Sequence, residues 1–155
     1  MSRTPSATSK ADTTIPAASR SSGTTVSGTN DLVTARLAGA SAGANDVDAG
    51  VTTITSPPIA LPATGTLSLS FSYYFAHLNN SASDDFLRVF VVGSTTTQVL
   101  QELGAATTDA AAWATATANI SAFAGQTVRI RVEAADAGTA SLVEAGVDDV
   151  KITQQ

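Results

Sequence analysis

Leu67-Ser-Leu-Ser-Phe-Ser-Tyr-Tyr-Phe75 alternates large apolar side chains with small polar ones. Leu67, Leu69, Phe71, Tyr73 and Phe75 share one parity, and Ser68, Ser70, Ser72 and Tyr74 the other. A period of two puts successive side chains on opposite faces, so this stretch predicts a long strand buried on one side. The same period recurs outward from it. Residues 86–92 form an apolar run interrupted by Arg88, as expected of a central strand covered on both faces. Residues 99–103 and 113–120 read as shorter strands, with Trp113 in the core. Val128, Ile130 and Val132 alternate with Arg129, Arg131 and Glu133, and residues 147–152 close the set. Gly, Pro and Asn clusters separate these runs: Ser56-Pro57-Pro58, Asn79-Asn80-Ser81, Gly93-Ser94 and Ala137-Gly138-Thr139 among them. Turns every ~8–12 residues indicate an all-β sandwich. Residues 105–112 have the composition of a single helical turn.

The 155-residue chain fits one domain. Residues 1–30 are Ser, Thr, Ala, Gly and Pro with almost no large apolar side chains, so they read as a linker or flexible arm before a sandwich at 31–155. No cysteine is present, which excludes disulfides and zinc–thiolate sites. The net charge is -5, and the 8 Lys and Arg are scattered along the sequence, so nucleic acid is not an expected partner. No run approaches the roughly 18–20 apolar residues of a membrane span. The composition suits a secreted bacterial domain. Residues 1–30 lack the apolar stretch of a signal peptide, so the signal of a secreted protein would lie upstream.

The last strand carries adjacent carboxylates in Ala140-Ser-Leu-Val-Glu-Ala-Gly-Val-Asp-Asp-Val-Lys-Ile-Thr-Gln154. By parity with Val150 and Ile152, Asp148 points toward the core. An unpaired carboxylate there costs several kcal/mol, and a hard cation is the simplest neutraliser.

Several segments resemble the C-terminal β-sandwich of secreted bacterial zinc carboxypeptidases and related exported hydrolases. They are Leu32 through Gly50, Val51 through Ile59, Ser83-Asp-Asp-Phe-Leu-Arg-Val89, Trp113 with Asn119 through Ile130, and Glu144-Ala-Gly-Val-Asp-Asp-Val150. Such jelly-roll domains look similar to MAM-type and carbohydrate-binding-module folds. The resemblance implies an antiparallel jelly-roll sandwich with a structural Ca2+ site, joining the paired Asp148 and Asp149 to an early loop holding Asp46 and Asp48, with Glu144 as a further ligand or hydrogen-bonding neighbour. It implies a non-catalytic accessory domain attached to a parent hydrolase. The zinc ligands of that family lie in a separate domain. This chain has one histidine, His77, and no His-x-x-Glu, so peptidase activity is not implied.

Other candidates are weaker. Asp84 and Asp85 open a strand, where they either contact a ligand or cap backbone amides. His77 has no Gly-x-Ser-x-Gly partner, so a catalytic role is not expected. Tyr74 interrupts the serine alternation and is the best-placed exposed aromatic for contacting a sugar. A module binding polysaccharide or a cell surface, and a subunit assembling through its N-terminal arm, are the alternative functions.

Overall fold

The computed structural model describes residues 24–34, Val47 and residues 49–155. Asp46 and Asp48 lie outside the described residues. Among the described residues nine strands run in the order β1 (Leu32–Val33), β2 (Gly50–Thr55), β3 (Ile59–Ala60), β4 (Leu67–His77), β5 (Phe86–Val92), β6 (Thr96–Leu103), β7 (Ala114–Asn119), β8 (Thr127–Asp136) and β9 (Val143–Gln154). A 3-10 turn, Ser121–Phe123, precedes β8. One sheet has the order β1-β9-β4-β7, and the other has the order β2-β8-β5-β6 with β3 also on β8. All pairings are antiparallel. Successive strands pass repeatedly from one sheet to the other, as in a jelly roll, so the chain is an all-β antiparallel sandwich.

The core is the space between the sheets. Leu67, Leu69 and Phe71 of β4 meet Val89 and Val91 of β5 and Val128 and Ile130 of β8. Each set is one parity of its strand, as the alternation dictates. Phe75, Leu87, Ala134, Val143 and Ala145 extend the core toward the other end. Tyr73, inward on β4, reaches across the sandwich edge and donates its hydroxyl to Glu102 Oε1 of β6 at 2.7 Å. That hydrogen bond, with burial and the Glu102 charge adding, pushes the Tyr73 phenol up to about 12.

Three local expectations are corrected. Residues 105–112 form no helical turn; Asp109 there exchanges backbone hydrogen bonds with His77 instead. Trp113 precedes β7 and lies half-buried on the outer face of the four-stranded sheet rather than in the core. The third concerns β9. Ser70 pairs with Lys151, but Ser72 pairs with Asp148, so Asp149 and Val150 together oppose Phe71. Asp149 takes φ 53°, the left-handed conformation that Asp tolerates better than most residues. This bulge reverses the parity of the strand. Val143, Ala145 and Val147 face the core before it and Ile152 after it, while Val150 is 47% exposed. Asp148 therefore faces outward with Ser72, not inward.

Candidate functional site

The outer face of the four-stranded sheet is built around Tyr74. Expected to be exposed, it is 1% exposed. Its ring lies against Gly146 on the neighbouring strand, where a Cβ would come within 2.8 Å of Cζ. Trp113 meets it edge-on, with ring centroids 4.9 Å apart at 80°. Over this pair runs the segment 24–28. Trp113 Nε1 donates to the Thr24 carbonyl at 2.8 Å. Asp148 Oδ2 accepts the amides of Val26 at 2.8 Å and Ser27 at 3.2 Å, and the Ser27 hydroxyl donates to Asp149 Oδ1. Asp148 Oδ1 takes the amide of Asp149 at 2.7 Å. Outward-facing Asp148 is thus neutralised in large part by backbone N–H dipoles. The segment lies back on its own sheet.

Asp31 adjoins this strap. Leu32 pairs with Val147, so continuing the register sets Asp31 opposite Asp148. Asp31 is buried, and neither carboxylate oxygen has a hydrogen-bond partner among the described residues. Burial, with the Asp148 charge adding, pushes its carboxyl up, against a partial lowering by its own backbone N–H, which lies near it without hydrogen-bond alignment. Glu144, opposite Ala76 on the same outer face, is also buried. Val47, between Asp46 and Asp48 in sequence, donates its amide to the Val143 carbonyl at 3.3 Å, next to Glu144. The structure therefore brings Asp148, Asp149 and Asp31 together. Among the described residues alone, no group of three or more acidic or histidine side chains is arranged to hold a metal.

Asp84 and Asp85 separate cleanly. Asp84 is exposed, its carboxylate against Gly138, which has φ 107°. Asp85 is 1% exposed and accepts from the Ser81 hydroxyl at 2.6 Å, the Ala82 amide at 2.9 Å, the Ala137 amide at 2.9 Å and the Ser141 hydroxyl at 3.1 Å. It ties the loop before β5 to the loop after β8, so the capping role belongs to Asp85. Asp136, also buried, shares Ser141 with it. Burial raises Asp85, but its four hydrogen bonds outweigh this and lower it overall. Burial, with the proximity of Asp85 adding, raises Asp136 despite hydrogen bonds from Ser141. Burial and the neighbouring carboxylate thus push Asp136 toward its protonated form, while hydrogen bonds favour the charged form of Asp85. His77 is buried against Phe75, with Nδ1 3.1 Å from the Leu78 carbonyl.

The outer face of the five-stranded sheet presents a different chemistry. Register places Arg88 beside Glu133 and Gln101, and Phe90 beside Arg131 and Gln98. Arg88 lies 3.7 Å over the Phe86 ring, and Arg131 lies 4.7 Å from the Phe90 centroid. Arg131 Nε is 2.9 Å from Glu133 Oε1, a charge contact without hydrogen-bond alignment. Arg88 Nε donates to Gln101 Oε1 at 3.2 Å, which also accepts from Gln98 at 3.3 Å. Among the described residues, Arg88, Arg129, Arg131 and Lys151 are the only Lys and Arg, and the three arginines share this face. Three of the four described cations, apart in sequence, are thus neighbours in space. The outward parity of Arg129, Arg131 and Glu133 is the sequence signal for this platform, but pairing with β5 and β6 was needed to assemble it.

An apolar cleft of about 640 Å3 opens between the edges β1 and β2, lined by Leu32, Ile54, Leu87, Val132 and Val147 with threonines at its rim. It brings no titratable groups together, so the arginine face is the stronger candidate for specific recognition.

No protein-family model matches the chain, and no curated protein matches it. Among solved structures it is similar to the K3 cleaved adhesin domain of Lys-gingipain from Porphyromonas gingivalis w83, at 22% identity and a TM-score of 0.44, over 66% of this chain and 63% of that one. The chain thus spans less than two thirds of that relative. It is also similar to a family 16 carbohydrate binding module-2, at 13% identity and a TM-score of 0.44, over 83% and 79%. A CBM4 structure is similar at 14% identity and a TM-score of 0.37, over 71% and 80%.

Proposed function

We propose that the chain is a non-catalytic binding module, accessory to a secreted bacterial hydrolase of the carboxypeptidase-like kind, which it attaches to a polysaccharide or cell surface. The carrying observation is the arginine, glutamine and phenylalanine platform on the five-stranded sheet. Rigid strands hold planar donors on one open face, as a recognition surface requires. The adhesin and carbohydrate-binding names of the similar structures agree with this reading, although its support is the chemistry of the face. The test is binding of the full chain to a panel of insoluble and soluble polysaccharides, with Arg131→Ala and Phe90→Ala. Retention that both substitutions abolish, with folding intact, supports the module. Retention by none of the panel counts against it.

Calcium is proposed as a structural ion at the strap. Asp31 supports this: a buried carboxylate with unpartnered oxygens beside Asp148 fits a hard cation that takes oxygen ligands at about 2.3–2.6 Å. Asp148, Asp149 and Glu144 are the other described candidates, and Asp46 and Asp48 would complete the set. The ion would supply charge neutralisation and a clamp, not catalysis. Thermal unfolding in excess calcium and then in EGTA checks this. An ion held only by the native state adds about 2.7 kcal/mol at a hundredfold excess over its dissociation constant. Asp31→Asn should remove most of the shift, and equal midpoints in calcium and EGTA would eliminate the site.

A further inference from the structure

The five-stranded face carries a net positive charge in a chain whose net charge is -5. Glu133 is the one carboxylate in register with its arginines, and it is engaged by Arg131. The other two guanidiniums have neutral partners. Arg88 donates to the Gln101 amide oxygen, and Arg129 donates to the Ser56 carbonyl at 2.7 Å. Among the described residues two cationic charges on this sheet are therefore uncompensated, and Arg129 is exposed.

The aromatic rings point the same way. A neutral sugar is held in large part by stacking its C–H face on a bare ring. Here the rings are covered: Arg88 lies over Phe86, which is 8% exposed, and Arg131 lies against Phe90. An arriving ligand meets guanidinium planes fixed from beneath by cation–π contact, not free aromatic faces. A planar guanidinium offers paired N–H donors whose geometry matches a carboxylate.

Spacing adds periodicity. Arg129 and Arg131 are same-face neighbours on one strand, about 6.5–7 Å apart. Arg88 is diagonal to Arg131 across the β5–β8 pair, at about 7–8 Å. Three guanidiniums in a short track suit a polymer that repeats its anionic group along its length.

We infer that this face binds a carboxylate-bearing polysaccharide, a polyuronate in chemical class, in preference to a neutral glycan. The inference rests on the binding-module reading and specifies its ligand.

The experiment compares binding of the full chain to polygalacturonate and to the same polymer fully methyl-esterified, by calorimetry at low and high sodium chloride. The expected result is at least about tenfold tighter binding to the free acid, a difference that falls as salt rises. Arg88→Gln and Arg129→Gln should each weaken binding several-fold while unfolding stays cooperative and the chain remains folded at the assay temperature. Equal, salt-independent binding of acid and ester would overturn the charge preference while leaving the module reading standing. Binding of polygalacturonate that neither substitution weakens would place it on another face and also overturn the inference. Binding of no glycan in either this comparison or the wider panel would remove both readings.

Discussion

Asp148 and Val26 stand 122 residues apart in the chain and are joined by a 2.8 Å hydrogen bond. A single carboxylate oxygen collects two successive backbone amides, Val26 and Ser27, and so fixes an otherwise featureless Ser/Thr-rich segment to the last strand. Composition had offered no reason for order there, because the segment has little apolar surface of its own. Its anchorage comes from the sheet. Asp148 supplies the acceptor, Tyr74 and Trp113 supply a surface to cover, and the Thr24 carbonyl takes the indole proton.

Asp148→Ala should release the strap. Loss of two charge-assisted acceptor bonds destabilises the fold by about 1–3 kcal/mol. Trp113 is the only tryptophan, so its emission reports the event directly. We expect a red shift and faster proteolysis within residues 24–31, both measured in EGTA so that no ion contributes. Unchanged emission and cleavage would show that the strap is held by other contacts.

The Asp85–Asp136 pair gives the fold opposing pH dependences. Asp85 is lowered below its ordinary value of 3.8, so its stabilising contribution is present above that value and lost as pH falls through the depressed one. Asp136 is raised above 3.8, so the folded state favours its protonated form. Its cost grows as pH climbs above about 3.8 and levels off beyond the raised value. Asp136→Asn keeps a permanent donor toward Asp85 and removes that cost. It should be at least as stable as the native chain at neutral pH. Asp85→Ala leaves four donors without their acceptor and should lose about 3 kcal/mol at neutral pH. Urea unfolding across a pH series checks both, and a neutral-pH loss in Asp136→Asn as large as that in Asp85→Ala would contradict the assignment.

Gly146 is required by a side chain on the next strand rather than by its own backbone angle. A methyl group there would sit 2.8 Å from Tyr74 Cζ and 2.9 Å from Cδ1. Gly146→Ala should therefore cost about 1–3 kcal/mol by overpacking. Combining it with Tyr74→Leu should restore part of the loss, a coupling that a double-mutant cycle on thermal unfolding would reveal. Strict additivity would show that the glycine serves some other purpose.

What could be read from the sequence follows from the range of each interaction. The strands were legible because alternation is local: residues 86–92 are β5 to the residue, and Leu67 begins β4 as the pattern indicates. The inward direction assigned to Asp148 failed because one left-handed residue, Asp149, reverses parity without any sign in the hydrophobic pattern. Tyr74 looked exposed because it follows serines on the outward side, yet its cover comes from residues 24–28 and from Trp113, both remote in sequence. Asp136 and Ser141 escaped notice for the same reason. Their importance depends on Asp85, which lies 56 residues from Ser141. The arginine platform required strand order, and a single strand shows only its own share of a face.

The strap also has a mechanical consequence. When the described residues are pulled from Thr24 and Gln155, tension meets the Thr24–Trp113 and Val26–Asp148 bonds first and leaves along the last few residues of β9. While those bonds hold, most of the sandwich lies outside the load path. Once they yield, the force passes to β1, whose Leu32 and Val33 pair with Val147 and Gly146 of β9, and through β9 to β4. A module tethered in flow would thus have a small sacrificial link that lengthens the chain before its folded body bears the strain.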